Sequence, residues 1–400
     1  MPDLTTADPP LGTDLLDARM TTVLRHCRDM APDIRAAGAV MERDPDAVIS
    51  LTDLPAVAVL RAAATPRRYQ YQTPDLDGVT LTGTSCLEWT VVLEAISYGD
   101  PSLVLGGPGP SLSGAAVAAL GSEAQCAEYF AKLAGPTWTF FALTEPNKGS
   151  AVLELETRLD RDPDGDGWLL NGAKRFVGNG ARAQLGVVFC RRAPGPWGIE
   201  AVLVDTSDPG FRGELLPTVG LRGARLSHLQ FDGVRVAPAQ VLGLDRPPSR
   251  RGFHGAMTTL LRCRPTIAGM ALGVGDAACD YAAQQRPHMP AGQRTRLDAM
   301  RHRLGAVRRL VHAVAADIDA GVVNAHRVGA VKMRAGHLGA EATILAADLL
   351  GPGSLLEHPW LAKASRDVRG FEYMEGTTNV HRQSIFQGLL KGTFFPGQPA

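Results

Sequence analysis

The chain has 400 residues, 45% of them hydrophobic and 20% charged, so it can bury a large core and is not a disordered polymer. Its 41 basic and 41 acidic residues cancel, which leaves no net field to recruit nucleic acid or an anionic membrane. Length alone predicts two or three domains. The cysteines (Cys27, Cys86, Cys126, Cys190, Cys263 and Cys279) are scattered, with no Cys-x-x-Cys pair. That spacing predicts buried thiols in a reducing compartment, not a disulfide or zinc framework. The opening residues lack the basic and apolar blocks of a secretory signal, and no apolar run approaches the ~18–20 residues of a membrane span. A cytoplasmic location is expected.

Three zones follow in chain order: a helical domain over 1–136, a β domain over 137–245 and a helical bundle over 246–400. In the first, Ser122 of "LGSEAQCAEYFAKLAG" is a natural helix cap, with Ala127, Phe130, Ala131 and Leu133 on one side. Gly/Pro clusters at 64–78 and 99–114 read as loops. From Thr137 the period shortens: "TWTFFALTEP", "VLELETRLD", "GWLLNGAKRFVGN", "LGVVFCRR", "IEAVLVDT" and "LSHLQFDGVRVAP" are short β-rich runs parted by turn residues. They predict a compact barrel or sandwich. After the linker "DRPPSRRG" (245–252), four helical stretches with short connections predict an antiparallel bundle. The fold class is thus α+β and multidomain: helices, a β domain, then a four-helix bundle.

The last helix should open at Thr377 or Thr378, whose oxygen would cap it, and close at Gly392. Val380, Ile385, Phe386, Leu389 and Leu390 would form its apolar face. None of this requires the acid Glu375 at the junction "YMEGTTNVHR". Two dinucleotide-like matches carry no weight: "GVGDAA" (273–278) lies within a helical pattern, and "GNGARA" (178–183) is followed by strands. His302 and His312, beside arginines on a helix, read as solvated. Two β segments are more informative. "FFALTEPNKGS" runs into a turn with Thr144 and Ser150 near exposed amides, and "NGAKRFVGNG" carries Phe176, able to cover a ring face.

As a set, and in this order, "ALTEPNKGS", "NGAKRFVGNG", "RPTIAGMALGVGDAACDYA" and "EGTTNVHR" resemble the acyl-CoA dehydrogenase family of flavoproteins over roughly residues 80–392. The resemblance implies FAD as cofactor and Glu375 as the base that removes the α-proton of an acyl thioester while a β-hydride passes to flavin N5. It implies Phe141, Leu143, Thr144, Ser150, Phe176, Gly178, Thr377 and Asn379 as flavin-lining residues, with Ser150 and Arg264 on the substrate side. Some members carry the base on the first bundle helix, just before an arginine; that position is Cys263 here. Gly178 replaces the family's hydroxyl residue near N5. The stretches that hold the FAD diphosphate and adenosine across a subunit interface are altered to "QQRPHMPAGQ" and "ADLLGPGSL", with Arg286 a possible substitute.

The partners implied are a thioester of coenzyme A or of an acyl-carrier protein, an electron-accepting flavoprotein, and further copies of the chain in a homodimer or homotetramer. Arg246, Arg250 and Arg251 of the linker, with Arg262 and Arg264, would form a basic rim that favours an acidic carrier protein. Two other functions remain open: a flavin monooxygenase or oxidase on the same fold, and a cofactor-free scaffold.

Overall fold

The structure, a computed structural model, describes residues 9–394. Seven helices come first: α1 (Ala18–Asp29), α2 (Ala31–Arg43), α3 (Pro55–Ala64), α4 (Cys86–Gly99), α5 (Pro101–Gly106), α6 (Ser111–Leu120) and α7 (Glu123–Ala131). Ser122 caps α7 in a full capping box with Gln125, as its spacing suggested. The 99–114 stretch departs from expectation. It holds α5, with Pro101 in the first turn and the Asp100 side chain accepting from Ser102 N at 2.8 Å.

Seven strands follow: β1 (Thr139–Ala142), β2 (Arg158–Arg161), β3 (Trp168–Val177), β4 (Leu185–Arg191), β5 (Ile199–Asp205), β6 (Phe211–Leu215) and β7 (Ser227–Val236). They form one sheet in the order β1-β4-β2-β3-β7-β6, with β5 paired to β4. β4 runs parallel to β1 and antiparallel to β5, and all of it but Arg191 is buried, which its unbroken apolar run requires. β3 pairs antiparallel with β2 and β7, and its register slips between Arg175 and Val177.

The C-terminal part comprises α8 (Gly252–Gln285), α9 (Ala291–Asp319), α10 (Ala325–Leu350), α11 (Ser354–Glu357), α12 (Pro359–Gly370) and α13 (Thr378–Leu390). α11 and α12 intervene where a short connection was expected. α8 packs closely on α4: a Cβ added at Gly273 would lie 2.1 Å from Glu94 O. The "GVGDAA" glycines therefore serve helix contact, not a nucleotide.

Two buried ion clusters join these parts. Arg308 meets Glu94 and Asp276 at 2.5 Å each, and Arg28 meets Asp276 at 2.9 Å. His312, expected in solvent, is 1% exposed and lies 3.3 Å from Glu94 in the same cluster, whereas His302 is exposed as expected. In the second, Lys363 of α12 donates to Asp100 (2.7 and 2.8 Å), Ser102 (2.9 Å) and Asp367 (2.6 Å). Asp367 in turn accepts from Leu221 N at 2.6 Å, in the loop after β6. All six cysteines are free and buried. Among the described residues no single helix is long and apolar enough to cross a membrane.

α13 corrects two expectations. Thr377 precedes it but makes no side-chain cap bond. Among the described residues its expected apolar face is not covered: Phe386, Leu389 and Leu390 are exposed, Val380 and Ile385 only partly buried.

Candidate active site

Glu375 lies in the turn between α12 and α13, at φ +54°, followed by Gly376 at φ +103°. A non-glycine residue in that region costs about 1–3 kcal/mol and persists only where its surroundings impose it. Here two cations grip the turn's carbonyls. Arg264 Nε of α8 donates to Glu375 O at 2.9 Å. Lys332 Nζ of α10 donates to Glu372 O at 3.0 Å and to Gly376 O at 2.7 Å. The Glu372 carboxylate accepts from Thr378 N (2.7 Å) and Thr378 Oγ1 (2.6 Å), so Glu372 supplies the cap that the threonines were expected to give.

Burial pushes the Glu375 carboxyl up to about 7, against the pull of Arg264 and Lys332. Burial likewise pushes Lys332 down to about 8, although Glu372 and Glu375 oppose it. Both shifts say that desolvation outweighs attraction here. His381 of α13 lies beneath Gly376, and burial together with the two cations pushes its imidazole down to about 4. Cys263, in the alternative base position, is fully buried, and burial first and Glu375 second hold its thiol well above its usual value. It cannot act as a thiolate there. Glu375 is the carboxylate of this turn poised to take or give a proton near neutral pH.

A second group forms on the sheet. Arg175 N donates to Thr144 O at 2.9 Å, and Lys174 Nζ donates to Leu143 O at 3.0 Å. The buried Lys174–Glu145 pair, 2.9 Å apart, is completed by Glu156 N (2.6 Å) and Thr157 N (2.8 Å) on the Glu145 carboxylate. The two β motifs are thereby sewn together. The slip in β3 places Phe176 at φ +60° and leaves it 59% exposed, with the Arg175 guanidinium 5.3 Å from its ring. A Cβ at Gly178 would meet only Ala224 O, at 3.8 Å. An exposed ring beside such open backbone fits one face of a flat heterocycle. Phe141 and Leu143 are partly buried against an apolar cluster that includes Phe130, Val187 and Phe189; Ser150 and Asn379 are exposed. Among the described residues no hydrogen bond joins this group to the Glu375 turn. Arg286 donates to Leu349 O at 2.5 Å, so the two altered stretches bind each other.

Comparison with known proteins decides the family. The acyl-CoA dehydrogenase middle domain matches residues 140–234, and the acyl-CoA dehydrogenase C-terminal domain matches residues 250–390. The chain belongs to the acyl-CoA dehydrogenase family. It is 33% identical to an acyl-CoA dehydrogenase of Bacillus subtilis over 68% of this chain and 74% of that one. It is 30% identical to a probable medium-chain specific acyl-CoA dehydrogenase of Caenorhabditis briggsae, over 77% of each. Among solved structures, butyryl-CoA dehydrogenase from Megasphaera elsdenii superposes with TM-score 0.79 at 24% identity, over 94% of this chain and 99% of that one.

Sequence reading missed three residues that hold or pack against the Glu375 turn: Lys332 of α10, Glu372 and His381 of α13. Lys332 left a signal, since it falls on the apolar stripe of α10 between Val328, Val331 and Ala335, where a lysine demands a partner. Glu372 and His381 left none, because their partners are fixed by the turn itself.

The basic rim also changes. Arg251 is 6% exposed and meets Glu200 at 3.2 Å, Arg246 donates to Ala119 O at 2.7 Å, and Arg262 donates to Thr84 O. Of that set only Arg250 stands exposed.

Proposed function

We propose that the protein is an FAD-dependent acyl-thioester dehydrogenase that introduces an α,β double bond. The observation that carries this reading is Glu375 itself: a desolvated carboxyl whose turn is held by Arg264 and Lys332 through the backbone. An α-C–H beside a thioester is a very weak acid, so its base must be shielded and aimed. Glu375 takes that proton onto its carboxylate. Bound FAD would supply the acceptor for the hydride leaving the β-carbon. Phe176 would cover a face of its ring system, and Thr144, Ser150, Gly178, Thr377 and Asn379 would line it, with Phe141 and Leu143 behind. Ser150 is exposed and available to the thioester arm. Arg264 serves the substrate side through the carbonyl of Glu375.

Reduced FAD would pass its electrons to a separate electron-accepting flavoprotein, and the chain works as a homodimer or homotetramer in the cytoplasm. The acyl group arrives on coenzyme A or on a carrier protein. Arg251 is neutralised by Glu200, which weakens the electrostatic case for the carrier, whereas Arg246 and Arg262 donate only to carbonyls and keep their charge. Anaerobic mixing with matched acyl-CoA and acyl-carrier-protein thioesters, while following flavin bleaching, tests the reading. Glu375→Gln should bind flavin yet lose about 10²-fold or more in bleaching rate. Bleaching near the parent rate would overturn the assignment of the base.

The open backbone at Gly178 favours a second reading, a flavin oxidase, because no side-chain hydroxyl stands at that position. Stoichiometric peroxide in aerobic turnover would select it. Purified protein with no flavin absorbance would instead support a scaffold.

A further inference from the structure

The structure assigns Lys332 a positioning role: from α10 its ammonium grips the carbonyls of Glu372 and Gly376 and holds Glu375 aimed between them. This rests on the reading of Glu375 as the base. Lys332 is 2% exposed and its Nζ lies 3.0 Å from Glu372 O and 2.7 Å from Gly376 O, carbonyls that flank Glu375 in the chain. One side chain thus fixes both ends of the segment whose middle carries the carboxyl. Arg264 grips the carbonyl between, from α8. Three carbonyls turned toward two cations account for a glutamate at φ +54°, a conformation its own side chain disfavours.

The two cations are not equivalent. A guanidinium stays charged at any working pH, whereas an ammonium loses its charge when it loses a proton. The titratable and charged groups facing Lys332 are Glu372 and Glu375 of the turn, Arg264 of α8 and His381 of α13, the last neutral at working pH. His337, farther along α10, meets Thr378 Oγ1 at 3.2 Å. Burial has brought the Lys332 ammonium down to about 8, so deprotonation falls within a range that kinetics can read. A neutral amine grips the carbonyls less strongly and no longer draws the Glu375 proton off. The first change loosens the aim of the base, and the second raises its proton affinity and so narrows the range in which it is both ionised and aimed. The clamp therefore predicts a bell-shaped activity, rising as Glu375 ionises near pH 7 and falling as Lys332 discharges near pH 8.

The test uses the flavin-loaded chain and Lys332→Met, which keeps the stem and removes the donors. Amide hydrogen exchange over residues 372–379, read by mass spectrometry, needs no substrate. In the parent it should accelerate above pH 8 beyond the intrinsic rise; in Lys332→Met it should be several-fold faster at every pH. With acyl-CoA probes from butanoyl to hexadecanoyl, Lys332→Met should lose about 10-fold or more in kcat with KM little changed, and lose the alkaline limb. If Lys332→Met does not fold, Lys332→Arg decides, because its permanent charge should extend activity past pH 9. Parent exchange with no added rise above pH 8, or a folded variant with the parent's limb and kcat, overturns the clamp. Failure of the base reading appears elsewhere, as Glu375→Gln reacting at the parent rate.

Discussion

Arg264 Nε and Glu375 O, 111 positions apart in the chain, lie 2.9 Å from each other. The first long bundle helix thus sets the place of an acid that the sequence puts near the C-terminus. Its guanidinium acts on the carboxyl in two ways, by fixing the backbone and by favouring the ionised form.

Replacing Arg264 with Met should therefore raise the pH at which activity rises above the parent's value of about 7, because a lost cation favours the protonated acid. The flavin reduction rate measured against pH checks this. An unmoved limb with lower activity would mean that Arg264 acts on the substrate alone.

The same carboxyl should leave a trace in stability. Its folded value of about 7 lies above the ordinary value of 4.5, so the folded chain holds the extra proton between the two. That contribution is full below about pH 4.5 and lost as pH rises through about 7. Glu375→Gln should accordingly gain melting temperature relative to the parent as pH goes from 5 to 8. Parallel melting curves across that range would contradict the shift.

Glu372 and Thr377 offer a contrast at the start of α13. Glu372→Ala removes both acceptors from Thr378 and should cost about 1–2 kcal/mol, seen as a lower denaturation midpoint. Thr377→Ala should change that midpoint little, since its hydroxyl makes no cap bond. Equal losses from the two would restore the threonine cap.

Gly178→Thr should leave folding intact, because the added Cβ meets nothing closer than 3.8 Å. A hydroxyl placed there is worth about 1 kcal/mol to a bound flavin if well aimed. A shifted reduction potential or reduction rate is the expected outcome. Unchanged values for both would show that position 178 faces away from the ring.

The order of helices, sheet and helices was legible because the hydrophobic period changes sharply near Thr137 and again after the linker. β6 was not: "FRGEL" is short, two of its five residues are charged, and it pairs with β7 alone in the sheet order. α5 was hidden by prolines and glycines that read as a loop, although Pro101 and Asp100 serve its first turn. At the site, the motif singled out Glu375 and the resemblance put Arg264 on the substrate side, but the grip of Arg264 and Lys332 on the turn was not foreseen. Both act on carbonyls, and although a lysine on the apolar stripe of α10 signals a buried partner, no local pattern says which carbonyls it meets. The position of His312 was misjudged for a related reason, since its partner Glu94 comes from α4. Neighbouring arginines suggested water, but Arg308 is itself buried in that cluster.

Lys363 draws together Asp100 of the first helical part, Asp367 of its own helix and, through Asp367, the amide of Leu221 beyond β6. Separating any one of these parts would strand a buried charge without its partner, at a cost of about 3–5 kcal/mol. Partial unfolding is thus penalised more than the apolar contacts alone would imply. Calorimetry should record one concerted heat absorption spanning helices and sheet together, and Lys363→Met should split it into separate transitions.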